Sequence, residues 1–248
     1  MKYILALCSL ALTLSLQAQP TDLFLFFGQS NMAGRAAIEG DTLLMNNVLI
    51  LNSEGDFIPA KNPLNRYSTI RKDDYSMQRL GPAYAFSKTI AAHLKDTIRI
   101  IVQARGGTPI EKFMKGSDWA YYESIVNRTK NALARYPDSR LRAIIFHQGE
   151  SNSGHPEGYI EKLSQVFADL RADLDVPNLP IFFGELGPWR DSYKEMRRLM
   201  RKIPEEIPYT YLVSSKDLTN QDEAHFDHNS AIEFGKRYAE KCIEVVYK

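Results

Sequence analysis

The sequence predicts an α/β fold, a mainly parallel sheet covered by helices on both faces. Two observations predict it. Short apolar runs rich in Ile, Val, Leu, Phe and Tyr recur at residues 23–27, 48–51, 98–102, 143–146, 181–183 and 209–213. They are mostly continuous rather than alternating, as strands buried on both faces read. Between them lie helix-like stretches at 82–94, 121–135, 157–174 and 192–201, with a last one at 229–246. Strand and helix in alternation imply parallel strands joined by right-handed crossovers. Residues 35–81 are the least regular and read as surface loops plus one strand. There is no internal repeat or low-complexity linker, and no boundary divides the chain, so residues 19–248 read as one domain.

Residues 1–18 read as a secretory signal peptide. Met1-Lys2 is a short basic start, an apolar run broken only by small Ser, Thr and Cys residues follows, and Leu16-Gln17-Ala18 offers a cleavage site. The run is shorter than the roughly 20 residues of a membrane span. Too little apolar sequence precedes Cys8, and Leu7 is too bulky, for a lipoprotein signal. The formal charge is +1, and Lys2 alone accounts for it. This argues against nucleic acid as a partner, and no basic amphipathic helix argues for a membrane surface. After cleavage only Cys242 remains, so neither a disulfide framework nor a cysteine zinc site is possible. An exported chain without disulfides fits a bacterial periplasm or surface. Asn127-Arg128-Thr129 has the form of a glycosylation sequon and is read as chance. Oligomeric state is not readable.

In a parallel sheet the ligand site lies beyond the carboxyl ends of the strands. The residues following the apolar runs therefore matter most. They are Gly28-Gln29-Ser30-Asn31, Gln103-Ala104-Arg105-Gly106-Gly107-Thr108, His147-Gln148-Gly149-Glu150-Ser151, Gly184-Glu185 and Asp222-Glu223-Ala224-His225. Chemistry gathers at one edge. A serine hydroxyl needs a base within hydrogen-bond reach, and the base needs a third group to hold its tautomer. Ser30 sits where a strand turns, with Gly28 permitting a tight backbone. Asp222-x-x-His225 supplies carboxylate and imidazole at a spacing that a turn can close. Candidate oxyanion donors are the Ser30 amide, Gly106-Gly107 and the Gln148 side chain. Gln29 and Asn31, the amides flanking Ser30, and Arg105, beside the double glycine, are candidates for contact with the oxyanion or substrate.

The blocks "GQSNMAGR", "GGT", "HQGES" and "DEAH", in that order, resemble those of the sialate O-acetylesterase and carbohydrate esterase family six group, within the SGNH hydrolase superfamily. "GPAYAFSKTI", "YYESIVNRTKNAL", "LRADLDVPNLPIF" and "GKRYAE" resemble its intervening elements, so the likeness spans residues 23–240. The resemblance implies a three-layer α/β/α sandwich and a serine esterase that removes O-acetyl groups from sugars, with no metal and no cofactor. It implies Ser30 as nucleophile, His225 as base, and Gly107 and Gln148 at the oxyanion. For the acid it offers Asp222, the favoured partner, and Glu150 as orienter or second acid. Related chains often carry Asp where this one has Asn152, which removes a negative charge near the site.

Other readings stay open. Asp222, His225, Asp227 and His228 could ligate a metal, though the serine block then has no role. His228 could be the base, and His147 reads as structural. Trp119 and Trp189 could stack on sugar rings or pack. The competing functions are a lipase or thioesterase of the wider superfamily, and a non-catalytic glycan-binding protein on an esterase fold. No lid-like apolar helix favours the first, and no missing triad residue favours the second.

Overall fold

The structure is a computed structural model and describes residues 19–248; the signal-peptide reading of residues 1–18 lies outside the described residues. Seven strands form one sheet: β1 (Thr21–Gly28), β2 (Val48–Leu51), β3 (Phe57–Pro59), β4 (Ile98–Ala104), β5 (Ser139–His147), β6 (Ile181–Gly184) and β7 (Thr210–Val213). Their order is β3-β2-β4-β1-β5-β6-β7, and only β3 runs antiparallel to its neighbour. The helices are α1 (Ser30–Ala33), α2 (Ala83–Leu94), α3 (Tyr121–Arg135), α4 (Tyr159–Asp173), α5 (Lys194–Met200), α6 (Ile203–Glu206) and α7 (His228–Val246).

The continuous apolar run at 23–27 has a direct explanation. Side chains alternate across a strand, and β1 is central, between β4 and β5. Leu23, Leu25 and Phe27 enter a core with α3, α4 and α5. Phe24 and Phe26 enter a second core with α2 and α7 on the other face. All five are fully buried, and each such side chain contributes about 1.5–3 kcal/mol through the water it leaves. This is the three-layer α/β/α arrangement.

The predicted elements lie where expected, with shifted ends. Helix α4 starts at Tyr159, after Gly158 in a left-handed turn (φ 68°). Helix α7 starts at His228, because the Asp227 side chain accepts a hydrogen bond from the Ser230 N–H and caps the first turn. Residues 35–81 hold a second strand, β3. It is short, half-exposed and ends in Pro59, features that confine it to the sheet's edge. Cys242 is fully buried on α7; burial pushes its thiol pKa up, so it behaves as a small apolar side chain. In the 127–129 sequon, the Thr129 hydroxyl is buried and donates to the Ile125 carbonyl. No helix among the described residues is long and apolar enough to cross a membrane.

Candidate active site

Gly28, at the end of β1, is a packing requirement. Gly28 pairs with Ala104 on one side and His147 on the other. A Cβ there would lie 2.1 Å from the His147 carbonyl oxygen, and its φ of 143° is one that side-chain-bearing residues rarely adopt. The Gln29 N–H then donates to that same carbonyl (2.9 Å). The chain leaves the sheet and turns at once into α1, which begins with Ser30. Ser30 is 8% exposed. Gly106, just past β4, packs beside it: a Cβ on Gly106 would lie 3.3 Å from Ser30 Cβ. Gly107 is exposed, with φ 69°. Among the described residues the Gly107 N–H has no hydrogen-bond partner.

The loop carrying His225 is organised by one carboxylate. Asp222 Oδ1 accepts from the Ala224 N–H (2.8 Å) and the His225 N–H (2.9 Å). Its Oδ2 lies 2.9 Å from His225 Nδ1. The Gln221 N–H to His225 carbonyl bond closes the loop. Burial pushes the Asp222 pKa up, but bonds from His225 and from the two backbone N–H groups outweigh it, and the net shift is down. Trp189 braces this loop: its indole N–H donates to the Glu223 carbonyl (3.1 Å) and its ring meets Phe226 edge-on. Of the two readings of Trp189, the structure shows packing.

Asn31 joins the serine turn to this loop. Its Nδ2 donates to the Ala224 carbonyl (3.0 Å) and to Glu150 Oε1 (2.6 Å), and its Oδ1 accepts from the Phe226 N–H (3.2 Å). The residue after Ser30 thus grips both neighbours of His225. Both N–H donors of the Asn31 amide are thereby engaged within the protein.

Glu150 makes no hydrogen bond to His225. Its side chain is 6% exposed, and Oε1 also meets His147 Nε2 at 3.0 Å. Burial pushes the Glu150 pKa up; the His147 imidazole and the hydrogen bonds from His147 and Asn31 prevail and hold it below the ordinary carboxyl range. A carboxyl depressed in the folded state stabilises the fold above its unfolded pKa, about 4.3, and that stability is lost as pH falls through the lower folded value. The melting temperature of the wild type should therefore fall more steeply below about pH 4 than that of Glu150→Gln. Equal slopes in thermal melts would refute this.

The Gln148 side chain sits in a network of its own. It is fully buried. Its Nε2 faces Asn152 Oδ1 (2.7 Å), the Thr108 carbonyl (3.2 Å) and Gln29 Oε1 (3.3 Å), and its Oε1 accepts from the Tyr159 hydroxyl (2.9 Å). An amide has two donors, and these three acceptors compete for them. Gln29 accepts at Oε1 from the Ser151 N–H (3.2 Å), while its Nε2 has no partner among the described residues. Arg105 sends Nη1 to the carbonyls of Ile70 (3.0 Å) and Arg71 (2.9 Å), stitching a surface loop.

Sequence reasoning missed two contacts. Asn152 accepts from the Ile110 N–H (2.9 Å) and donates to Glu111 Oε2 (3.0 Å). An aspartate there would face the Glu111 carboxylate, so asparagine suits its neighbour. Arg35 lies against Gly106, where a Cβ would be 2.5 Å from its Nη2. Burial and the nearby Arg79 charge both lower its pKa, and among the described residues it has no carboxylate partner. Nothing local in the sequence marks either pairing.

Asp227 caps α7, and His228 Nδ1 donates to the Ala37 carbonyl (2.9 Å). His228 therefore faces a different loop from Ser30's turn. Among the described residues no group of three or more His, Cys, Asp or Glu side chains could hold a metal ion.

Residues 20–244 match the family of carbohydrate esterases described as sialic acid-specific acetylesterases. The chain belongs to this family. It is thereby a carboxylic ester hydrolase of the carbohydrate acetylesterase kind. It is 28% identical to an Arabidopsis thaliana protein named "Probable carbohydrate esterase", over 90% of this chain and 91% of that one. The crystal structure of an Arabidopsis thaliana protein superposes with a TM-score of 0.81 at 23% identity, covering 92% of this chain and 99% of that one. NanS superposes at 0.69 with 14% identity, covering 91% and 98%. A carbohydrate acetylesterase from Xanthomonas citri superposes at 0.67 with 18% identity, covering 91% of this chain and 57% of that one. At these identities the structures show a shared fold.

Proposed function

We propose that this family member is an exported serine O-acetylesterase that deacetylates sugars through an acyl-enzyme, with residues 19–248 as its single catalytic domain. The observation that carries the reading is the Asn31 clasp. It holds both residues flanking His225 against the turn that bears Ser30, while Asp222 holds His225 Nδ1. With Nδ1–H donating to Asp222, Nε2 is the lone-pair nitrogen that can take a proton. Ser30 Oγ attacks the acetyl carbonyl while His225 Nε2 accepts its proton, and as the ester C–O bond to the sugar breaks the imidazolium gives that proton to the departing sugar oxygen. Water, activated by the same imidazole, then releases acetate. The oxyanion is met by the Ser30 and Gly107 N–H groups and by Gln29 Nε2. Gln148 and Asn31 act as positioning residues, and Glu150 acts through Asn31.

Export rests on the signal-like residues 1–18. The family's description and the half-buried Arg35 beside Gly106 favour an acidic sugar, whose carboxylate would pair with the guanidinium. Acetylated xylan is the neutral alternative.

The test is covalent labelling. An organophosphonate ester should add one phosphonyl group to wild type, on Ser30 by peptide mass mapping, and none to Ser30→Ala. A wild type that remains unlabelled while correctly folded would favour the glycan-binding reading.

A further inference from the structure

Trp119 stands out by position. It is 52% exposed and lies in the turn just before α3. Strand β4 ends, and α3 begins, at the same sheet edge that carries Ser30, because a crossover helix runs back against its strand. A series of contacts joins the two. Gly106 packs beside Ser30. The guanidinium of the adjacent Arg105 lies over the Tyr121 ring, 5.6 Å from its centroid. The Tyr121 and Trp119 centroids are 6.0 Å apart. Lys112 Nζ sits 3.4 Å from the Trp119 centroid, a cation on the ring's electron-rich face. The indole is thus held by two neighbours yet left half in water. Lys112 covers one face of the indole, and the opposite face is the platform for the C–H face of a pyranose ring, whose hydroxyls would meet the unbonded nitrogens of Arg105.

We propose that Trp119 forms a glycan subsite, which binds a second sugar ring of the chain that carries the acetylated residue. This rests on the acetylesterase reading and deepens it: the substrate is an oligosaccharide or polysaccharide rather than a free monosaccharide. The ring that stacks lies beyond Arg105, one or more residues along the glycan from the ester.

The experiment compares two matched pairs, O-acetylated sialyllactose against free O-acetyl sialic acid, and acetylated xylohexaose against acetylated methyl xyloside. For wild type, kcat/KM should favour the longer member of at least one pair. Trp119→Ala should cut that preference severalfold, and Trp119→Phe should retain most of it. An unchanged preference in both pairs overturns the subsite. Binding separates this from failure of the esterase reading. Unacetylated sialyllactose or xylohexaose should change the indole fluorescence of Ser30→Ala saturably, and the added Trp119→Ala change should remove the signal. Failure of both sugars to do so overturns the subsite, whatever the activity result.

Discussion

Ser30→Ala should lower kcat for acetate release by about 10^6-fold, and Asp222→Asn by about 10^4-fold, with both proteins still folded. The first removes the nucleophile. The second keeps the shape of the side chain but replaces an acceptor of the His225 Nδ1–H with a group that can present N–H instead. The imidazole then loses both its tautomer and the charge that stabilises its protonated form. Glu150→Gln should cost less, about 10- to 100-fold, because it acts only by shifting the loop. Its amide oxygen can still accept from Asn31, so the clasp on Ala224 and Phe226 survives in part. Steady-state kinetics on an aryl acetate, with circular dichroism as a check on folding, decides the order. A larger loss for Glu150→Gln than for Asp222→Asn would move the acid role to Glu150.

Gly28→Ala should destabilise the protein by more than about 3 kcal/mol. The new methyl would meet the His147 carbonyl oxygen at 2.1 Å, an atom of the central sheet backbone that cannot swing aside. That carbonyl also accepts from the Gln29 N–H, so any shift disturbs the turn that aims Ser30. Gly40→Ala is the control. Gly40 also has a positive φ (76°), but a Cβ there meets nothing within 4 Å, so only backbone strain of about 1 kcal/mol is expected. Urea unfolding of the two variants measures both. A Gly28→Ala cost no larger than that of Gly40→Ala would show that the sheet gives way at little cost.

Much of this architecture was legible before any coordinates. The run at 23–27 is apolar at every position because the strand is covered on both faces, and that is a property of the residues themselves. The polar and glycine residues that close the apolar runs, Gly28, Gln103 and His147, lie at or next to the observed strand ends Gly28, Ala104 and His147. Motif order and strand ends together named the edge where chemistry gathers. The Asp222-x-x-His225 pairing was also readable, because a carboxylate that accepts from N–H groups two and three residues on is a local device. Strand β3 was not readable. Three residues ending in proline carry too little pattern to register.

The roles of the amides were decided by tertiary structure alone. Asn31 was a candidate ligand contact because it flanks Ser30, and Gln148 because its side-chain amide follows a strand end and the family resemblance implies it at the oxyanion. Folding gives each of them partners far along the chain: Ala224 and Phe226 for Asn31, and Thr108, Asn152 and Tyr159 for Gln148. Glu150 likewise turns to His147 and Asn31 rather than to His225. The amino-acid order therefore determined which side chains reach the sheet edge and which of them carry chemistry. Which donors stay free at that edge, and which are spent holding the loops together, was settled only by the fold, since a buried amide must satisfy its hydrogen bonds with whatever the packed chain brings within reach.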